Sequence, residues 1–405
     1  MNKSSLLALN INGILVQVFF WFGSCSYMAF MVATLIDYGW SAGGAAAALT
    51  VMAVIAMIVQ PFYGFICDKY FSEKILSVVL FTLSAVCFFL LPLSLRTGNM
   101  VLILVNMAGI TVTGMQINGL LDSWIVGLKQ EFNSINYGLI RGCGSFAYAL
   151  AAQMMGIVTV RFSHDMRMWI GAGVLLFGAV SAVTFRSAKR VNKINAQHQG
   201  NIPVSRLKGI EALRLVFSSK QYNLLLAVSF FLLLCNYAIG TLLQILILEF
   251  SGTNAHIGTV AAVMAASEVP FMFLMAFFIK KLGYKKLIII SGIAYAVRMI
   301  LTSSAGTVNS LIYIQFLQGL SYAVILPVSM NYFSHIVDER VRSTAVTIFT
   351  AVTASLTSIL GNLITSAFLL NGFSAQSTLI FFVISALIGL ILALYGSVRK
   401  IWNHN

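Results

Sequence analysis

Charge is what this sequence has least of. Only 9% of its 405 residues are Asp, Glu, Lys or Arg, against roughly 25% in soluble domains. Acidic groups are the scarcer kind, 11 against 25 cations. Histidine and cysteine are also few, five of each. The cysteines (Cys25, Cys67, Cys87, Cys143, Cys235) lie in apolar runs with no CxxC spacing and no histidine neighbour. That pattern excludes a thiolate metal site and leaves small residues at helix contacts. The histidines (His164, His198, His256, His335, His404) fall in loops, tails or the ends of apolar runs, so none is placed to relay protons at mid-membrane. HExxH, a Walker A loop and a Ser/His/Asp set within the apolar runs are all missing, which argues against a membrane-embedded hydrolase or an ATP-driven pump. The expectation is a protein that is not an enzyme and needs no metal or organic cofactor.

What remains is apolar. The hydrophobic fraction is 59%, and runs of 18 or more such residues recur, each able to cross a hydrocarbon core of about 30 Å. Twelve spans are predicted, at about 11–36, 43–66, 75–95, 99–127, 137–160, 167–186, 221–248, 256–279, 286–305, 309–335, 343–370 and 376–398. The start MNKSSLLALN carries one lysine and no small-residue cleavage site before position 45, which predicts a retained first helix. The net charge of +14 sits in short loops, an orientation signal rather than a nucleic-acid footprint. With the N-terminus inside, cytoplasmic segments hold 20 of the 25 cations. The opposite side holds Arg96, Arg161 and Arg167, and Arg141 and Arg298 lie within spans. Both termini are therefore expected in the cytoplasm of a cell-membrane protein.

The longest polar stretch, 187–220, divides the chain into halves of six spans, 1–186 and 221–405. Its segment RLKGIEALRLVF reads as an amphipathic helix on the membrane surface. The halves echo each other: QPFYGFICDKYFSEK after span two, VPFMFLMAFFIKKLGYKK after span eight. Parallel repeats of this kind are expected of a transporter.

Ionisable groups inside spans are costly, about 2.5–3.5 kcal/mol each on insertion scales, so they point to function. Four are expected there: Asp122, Arg141, Glu268 and Arg298. The turn after span four centres near 132, which puts Asp122 and Arg141 at similar depth on neighbouring helices. The turn after span eight centres near 283, fifteen residues from both Glu268 and Arg298. Each half thus carries one acid and one arginine at matched depth, either facing a water-filled cavity or locking two helices. Asn118 shares a helical face with Asp122, and Tyr148 lies two turns beyond Arg141 on its face. An aromatic ring beside carboxylate and guanidinium suits a sugar, whose C–H faces stack while its hydroxyls bind the charges. Asn236, Tyr237 and Gln244 in span seven, with Gln315 and Gln318 in span ten, are placed to line the other wall.

GFICDK, with Gly64, Asp68 and Lys69, resembles the GxxxD(R/K) loop of the major facilitator superfamily, although Phe71 stands where a second glycine is usual. That resemblance implies an all-α membrane fold of twelve transmembrane helices in two pseudo-symmetric six-helix bundles. QPFYGFICDK and YGLIRGCGSFAYALAAQMMGI are similar to segments of the oligosaccharide:proton symporters, the lactose permease group. In that group an arginine on helix five binds sugar and an aromatic residue seven positions later stacks on it. Arg141 and Tyr148 fall on those places, with tyrosine for tryptophan. Asp122 falls on the partner carboxylate if the loop differs by one residue, and AVRMILTSSA places Arg298 on the helix-nine arginine. The departures bear on coupling. Gln315, Gln318 and Ser321 stand where the group has lysine, histidine and glutamate, and Glu268 lies about one turn from the helix-eight glutamate. LLDSWI and LQGLSYA also resemble the nucleoside and aromatic-acid proton symporters.

The expected activity is proton-coupled uptake of a sugar or glycoside by alternating access, with a nucleoside or aromatic acid as the alternative substrate. Asn118, Asp122, Arg141, Tyr148, Arg298 and Gln318 are the candidate substrate residues, Glu268 the candidate proton site, and Gly64, Asp68 and Lys69 the conformational loop. Na⁺ stays open as coupling ion, because backbone carbonyls bind it without leaving a motif. An exporter is disfavoured because span five lacks the Gly-Pro signature of antiporters. A transporter-like sensor would tolerate apolar replacements of the four buried charges. The expected partners are a small polar solute and the lipid bilayer, with no feature that requires an oligomer.

Overall fold

A computed structural model describes residues 3–132, 135–186, 210–399 and 401–402. Most of the central linker, and the side chains of Gly64, Asp68 and Lys69 in the conformational loop, lie outside the described residues. Eleven described helical segments are long and apolar enough to cross a membrane. The first six are Leu7–Asp37, Ala42–Cys67, Glu73–Arg96, Met100–Lys129, Tyr137–Arg161 and His164–Thr184. After the linker come Lys220–Glu249, Asn254–Ser303, Val308–Phe333, Thr344–Leu370 and Ala375–Val398.

The fifty-residue segment Asn254–Ser303 is two crossings. Its backbone breaks at Gly283, with φ 75° and ψ 163°. A side chain is strained at that φ, so the glycine in KKLGYKK is what lets span eight reverse into span nine. Twelve crossings result, with the turn at the position expected from the sequence. Helix starts carry side-chain caps that satisfy free amides before the chain enters lipid. Ser41 accepts from Gly44, Ser72 from Ile75, Asn136 from Leu139, Ser163 from Met166 and Ser219 from Tyr222. In the linker, Ile210–Ser218 is helical and buries Ala212 and Val216 against spans seven and eleven.

Among the described residues, four spans are interrupted. Span one breaks at Ala29 and Phe30, between helices Lys3–Met28 and Met31–Asp37. Span four breaks between helices Met100–Thr113 and Ile117–Glu131. Span ten tightens to a 3-10 turn over Gln315–Leu317, and span eleven widens to a π turn over Ala351–Leu356. Irregular backbone at membrane depth is tolerated where it lines a cavity or is buried in protein.

The two halves meet tightly at the face away from the N-terminus. Span five runs against span eight, and span two against span eleven. A Cβ at Gly258 would sit 2.3 Å from the Ala152 carbonyl, and one at Gly156 2.7 Å from the Asn254 carbonyl. Small residues therefore let the two backbones touch. Ser366 Oγ donates to the Gly43 carbonyl at 2.8 Å across the other pair. Gly258→Val is expected to overpack this contact by about 1–3 kcal/mol and to hold the face open. Spin-label distances between the ends of spans five and eight would lengthen, and unchanged distances would show that the contact is not closure-limiting.

The same face carries a polar cluster. His164 Nε2 lies 2.8 Å from Asp37 Oδ2, which also accepts from Asn254 Nδ2 at 3.3 Å. Arg96 and Tyr38 hold Asp165, the tyrosine hydroxyl at 2.9 Å. Arg167 corrects the sequence reading. Counted with the loops of the opposite side, it is instead fully buried over the Phe30 ring and donates to Thr34 and Thr159. Span six begins at His164 rather than 167, which carries the guanidinium one turn inward.

Candidate functional site

Span five starts at the Asn136 cap, and its first turns project Arg141, Ser145 and Tyr148 inward. Arg141 Nη1 donates to Ser145 Oγ at 3.2 Å. Its guanidinium carbon lies 4.5 Å from the centre of the Trp21 ring, a cation–π distance. The indole N–H of Trp21 donates to Gln17 Oε1 at 2.9 Å, and Gln17 Nε2 donates to Asp122 Oδ1 at 3.3 Å. Asp122 Oδ1 is 3.9 Å from Arg141 Nε. Four side chains thus close a ring: Trp21, Gln17, Asp122 and Arg141. The ion pair within it is long, so the guanidinium keeps donors for another acceptor. Tyr148 meets Trp21 edge to face at 5.9 Å. The sequence reading missed Trp21 and Gln17. Gln17 left a signal, an amide in the middle of an apolar run; Trp21 left none.

The facing wall comes from spans seven, eight and ten. Glu268 Oε1 accepts from Gln318 Nε2 at 2.8 Å. Gln318 Oε1 in turn accepts from Arg298 Nη1, while Gln315 Oε1 accepts from Arg298 Nε at 2.9 Å and Nη2 at 2.7 Å. This corrects the expected Glu268–Arg298 pair. Depth was matched, but Gln318 stands between the two. Arg298 is fully buried and does not line the cavity. A guanidinium only donates, so Arg298 fixes the Gln318 oxygen toward itself and the amide NH₂ toward Glu268.

Between the walls lies a cavity of about 590 Å³, lined by Trp21, Asn118, Arg141, Tyr148, Glu268 and Gln318, among others. Asn236, Tyr237 and Gln244 of span seven join them, with Tyr322, which the sequence reading did not single out. Asp122 is absent from that lining and reaches the wall through Gln17 and Arg141. A second cavity of about 750 Å³ shares Met28, Asn118, Tyr237, Gly240 and Gln244 with the first. It widens between Gln60, Tyr63 and Cys67 of span two and Ser355, Ser358 and Asn362 of span eleven. The combined space therefore runs toward the face of the N-terminus and ends short of the closed one. Volumes of this size suit a small organic molecule. No group of His, Cys, Asp and Glu among the described residues is arranged to hold a metal ion.

Twelve crossings around a central cavity with polar side chains on both walls, shut at one face, define a transporter of the major facilitator superfamily. The chain belongs to its MFS_1 like family, whose model matches residues 14–384. It is 25% identical over 300 residues to the uncharacterized transporter YwbF of Bacillus subtilis (strain 168), covering 74% of this chain and 71% of the relative. It is 24% identical over 347 residues to a maltose permease of Geobacillus stearothermophilus, covering 86% and 84%. Among solved structures, the nucleoside transporter NupG superposes with a TM-score of 0.76 at 16% identity, over 98% of this chain and 100% of that one. A bacterial homologue of the human lysosomal transporter Spinster, inward-facing and unoccupied, gives 0.71 at 12% identity, over 99% and 98%. These two share the fold.

Proposed function

We infer that this chain takes up a sugar or glycoside together with a proton, by alternating access, across the cell membrane with both termini cytoplasmic. On that orientation the structure is the inward-open state, and residues 1–186 and 221–405 are the two bodies that rock about the cavity, joined by 187–220. The observation that carries the reading is the Trp21–Gln17–Asp122–Arg141 ring facing Glu268 and Gln318 across the cavity. It offers fork-shaped donors, acceptors and aromatic edges to a polyhydroxylated ring. The likeness to a maltose permease over most of both chains supports the same class. Glu268 is the proton site, and Gln318 bridges it to Arg298 by hydrogen bonds. The loop of Gly64, Asp68 and Lys69 controls closure of the cytoplasmic side. No cofactor is required.

Tyr237 and Tyr322 on the cavity wall favour a nucleoside or aromatic acid as the second reading, since π-faces stack on bases. Thermal-shift measurements on the purified protein with maltose, uridine and benzoate separate the classes. Maltose is expected to stabilise the wild type and to lose that effect in Arg141→Ala. Stabilisation by uridine or benzoate alone would replace the sugar reading.

A further inference from the structure

The seven-residue helix Met31–Asp37 is the tip of span one, and it joins the cavity to the closed face. Met31–Leu35 are buried, and Phe30, which precedes them, gives no side-chain cap. The first-turn amides of such a helix need a partner from elsewhere. Ala33 finds one on the other half of the molecule: its N–H donates to Gln244 Oε1 at 3.1 Å. Gln244 is nearly buried, anchors its own Nε2 on the Gly240 carbonyl at 3.2 Å, and lines both cavities. At the far end of the same helix, Asp37 takes His164 and Asn254. One short rigid piece is therefore held at its start by a cavity residue of span seven and at its end by the closed face.

We propose that Gln244 is a positioning residue that latches the tip of span one and so keeps the far face shut. Its oxygen does from a distant helix what an N-cap does locally. Because Gln244 also forms cavity wall, a solute that takes up its amide loosens the latch, a consequence that rests on the solute-in-cavity reading above. The geometry makes a sharp distinction among variants. Gln244→Leu removes the acceptor, and Gln244→Asn withdraws it by one methylene. Gln244→Glu keeps an oxygen at the same reach.

The test uses a full-length protein with its five cysteines replaced by serine and Ser366→Cys introduced at the closed contact between spans two and eleven. Maleimide labelling of that thiol, without ligand, reads opening of the face. Orphaning a buried N–H shifts the open fraction by about tenfold or more. Labelling is thus expected to rise about that much in Gln244→Leu and Gln244→Asn, and to stay near the Gln244 value in Gln244→Glu. Unchanged labelling in monodisperse Gln244→Asn overturns the proposal, even if Gln244→Leu does not fold. An equal rise in Gln244→Glu overturns it too, since that variant keeps both the acceptor oxygen and the side-chain shape. Maltose binding is measured separately on the wild type, so a failed sugar reading leaves the labelling comparison to decide on Gln244.

Discussion

Arg141→Ala is expected to lose uptake by about tenfold or more, the cost of removing a hydrogen bond from a charged group, about 1.5–3 kcal/mol. Two effects add. The solute loses the free donors of the guanidinium, and Asp122 loses its cation. Arg141→Lys separates charge from shape. The ammonium keeps the positive charge but neither lies flat over Trp21 nor offers a fork. Its uptake should fall between those of wild type and alanine, with the loss in KM. Radiolabelled solute uptake into proteoliposomes measures both variants. Near-wild-type uptake by Arg141→Ala would assign the arginine to locking spans four and five, the other role open to a buried pair.

Glu268→Gln is expected to abolish uphill accumulation while leaving exchange intact. The amide has the shape of the carboxyl, and its oxygen still accepts from Gln318 Nε2, so the cavity keeps its form. What is lost is the group that takes and releases a proton. For one proton per solute, a one-unit pH gradient supports at most about tenfold accumulation. The variant should settle at about equal concentrations on both sides while still exchanging labelled for unlabelled solute. Accumulation that persists in Glu268→Gln would move the coupling site elsewhere, and accumulation driven equally well by a Na⁺ gradient would change the ion.

The sequence was most legible where one helix contains the whole pattern. Arg141 and Tyr148 are seven residues apart on span five and do line one cavity, and the turn at Gly283 lies where the basic cluster predicts it. Apolar runs likewise yielded all twelve crossings. Legibility ended where distant helices meet. Trp21 is an ordinary aromatic in an apolar run, and nothing near it in sequence announces a guanidinium 120 positions on. Depth along the membrane could be counted from a turn, which brought Glu268 and Arg298 to one level. Rotation about the helix axis could not, and rotation is what inserted Gln318 between them. Arg167 was placed outside the membrane because a span edge is blurred by a few residues, and three residues carry an arginine from the surface into the core. The interruptions in spans one, four, ten and eleven have no apolar signature either, since periodicity survives a single altered turn.

The glycine contact between spans five and eight has a mechanical meaning. With Gly156 and Gly258 backbone to backbone, the pair has almost no side chain to compress there, so that end is where the halves can roll with least resistance. Span five is 25 residues long, about 37 Å, so turning it by about 10° around that end sweeps the opposite end through roughly 6 Å. On the alternating-access reading, a mouth on the face of the N-terminus then widens without bending any helix while the glycine contact stays closed.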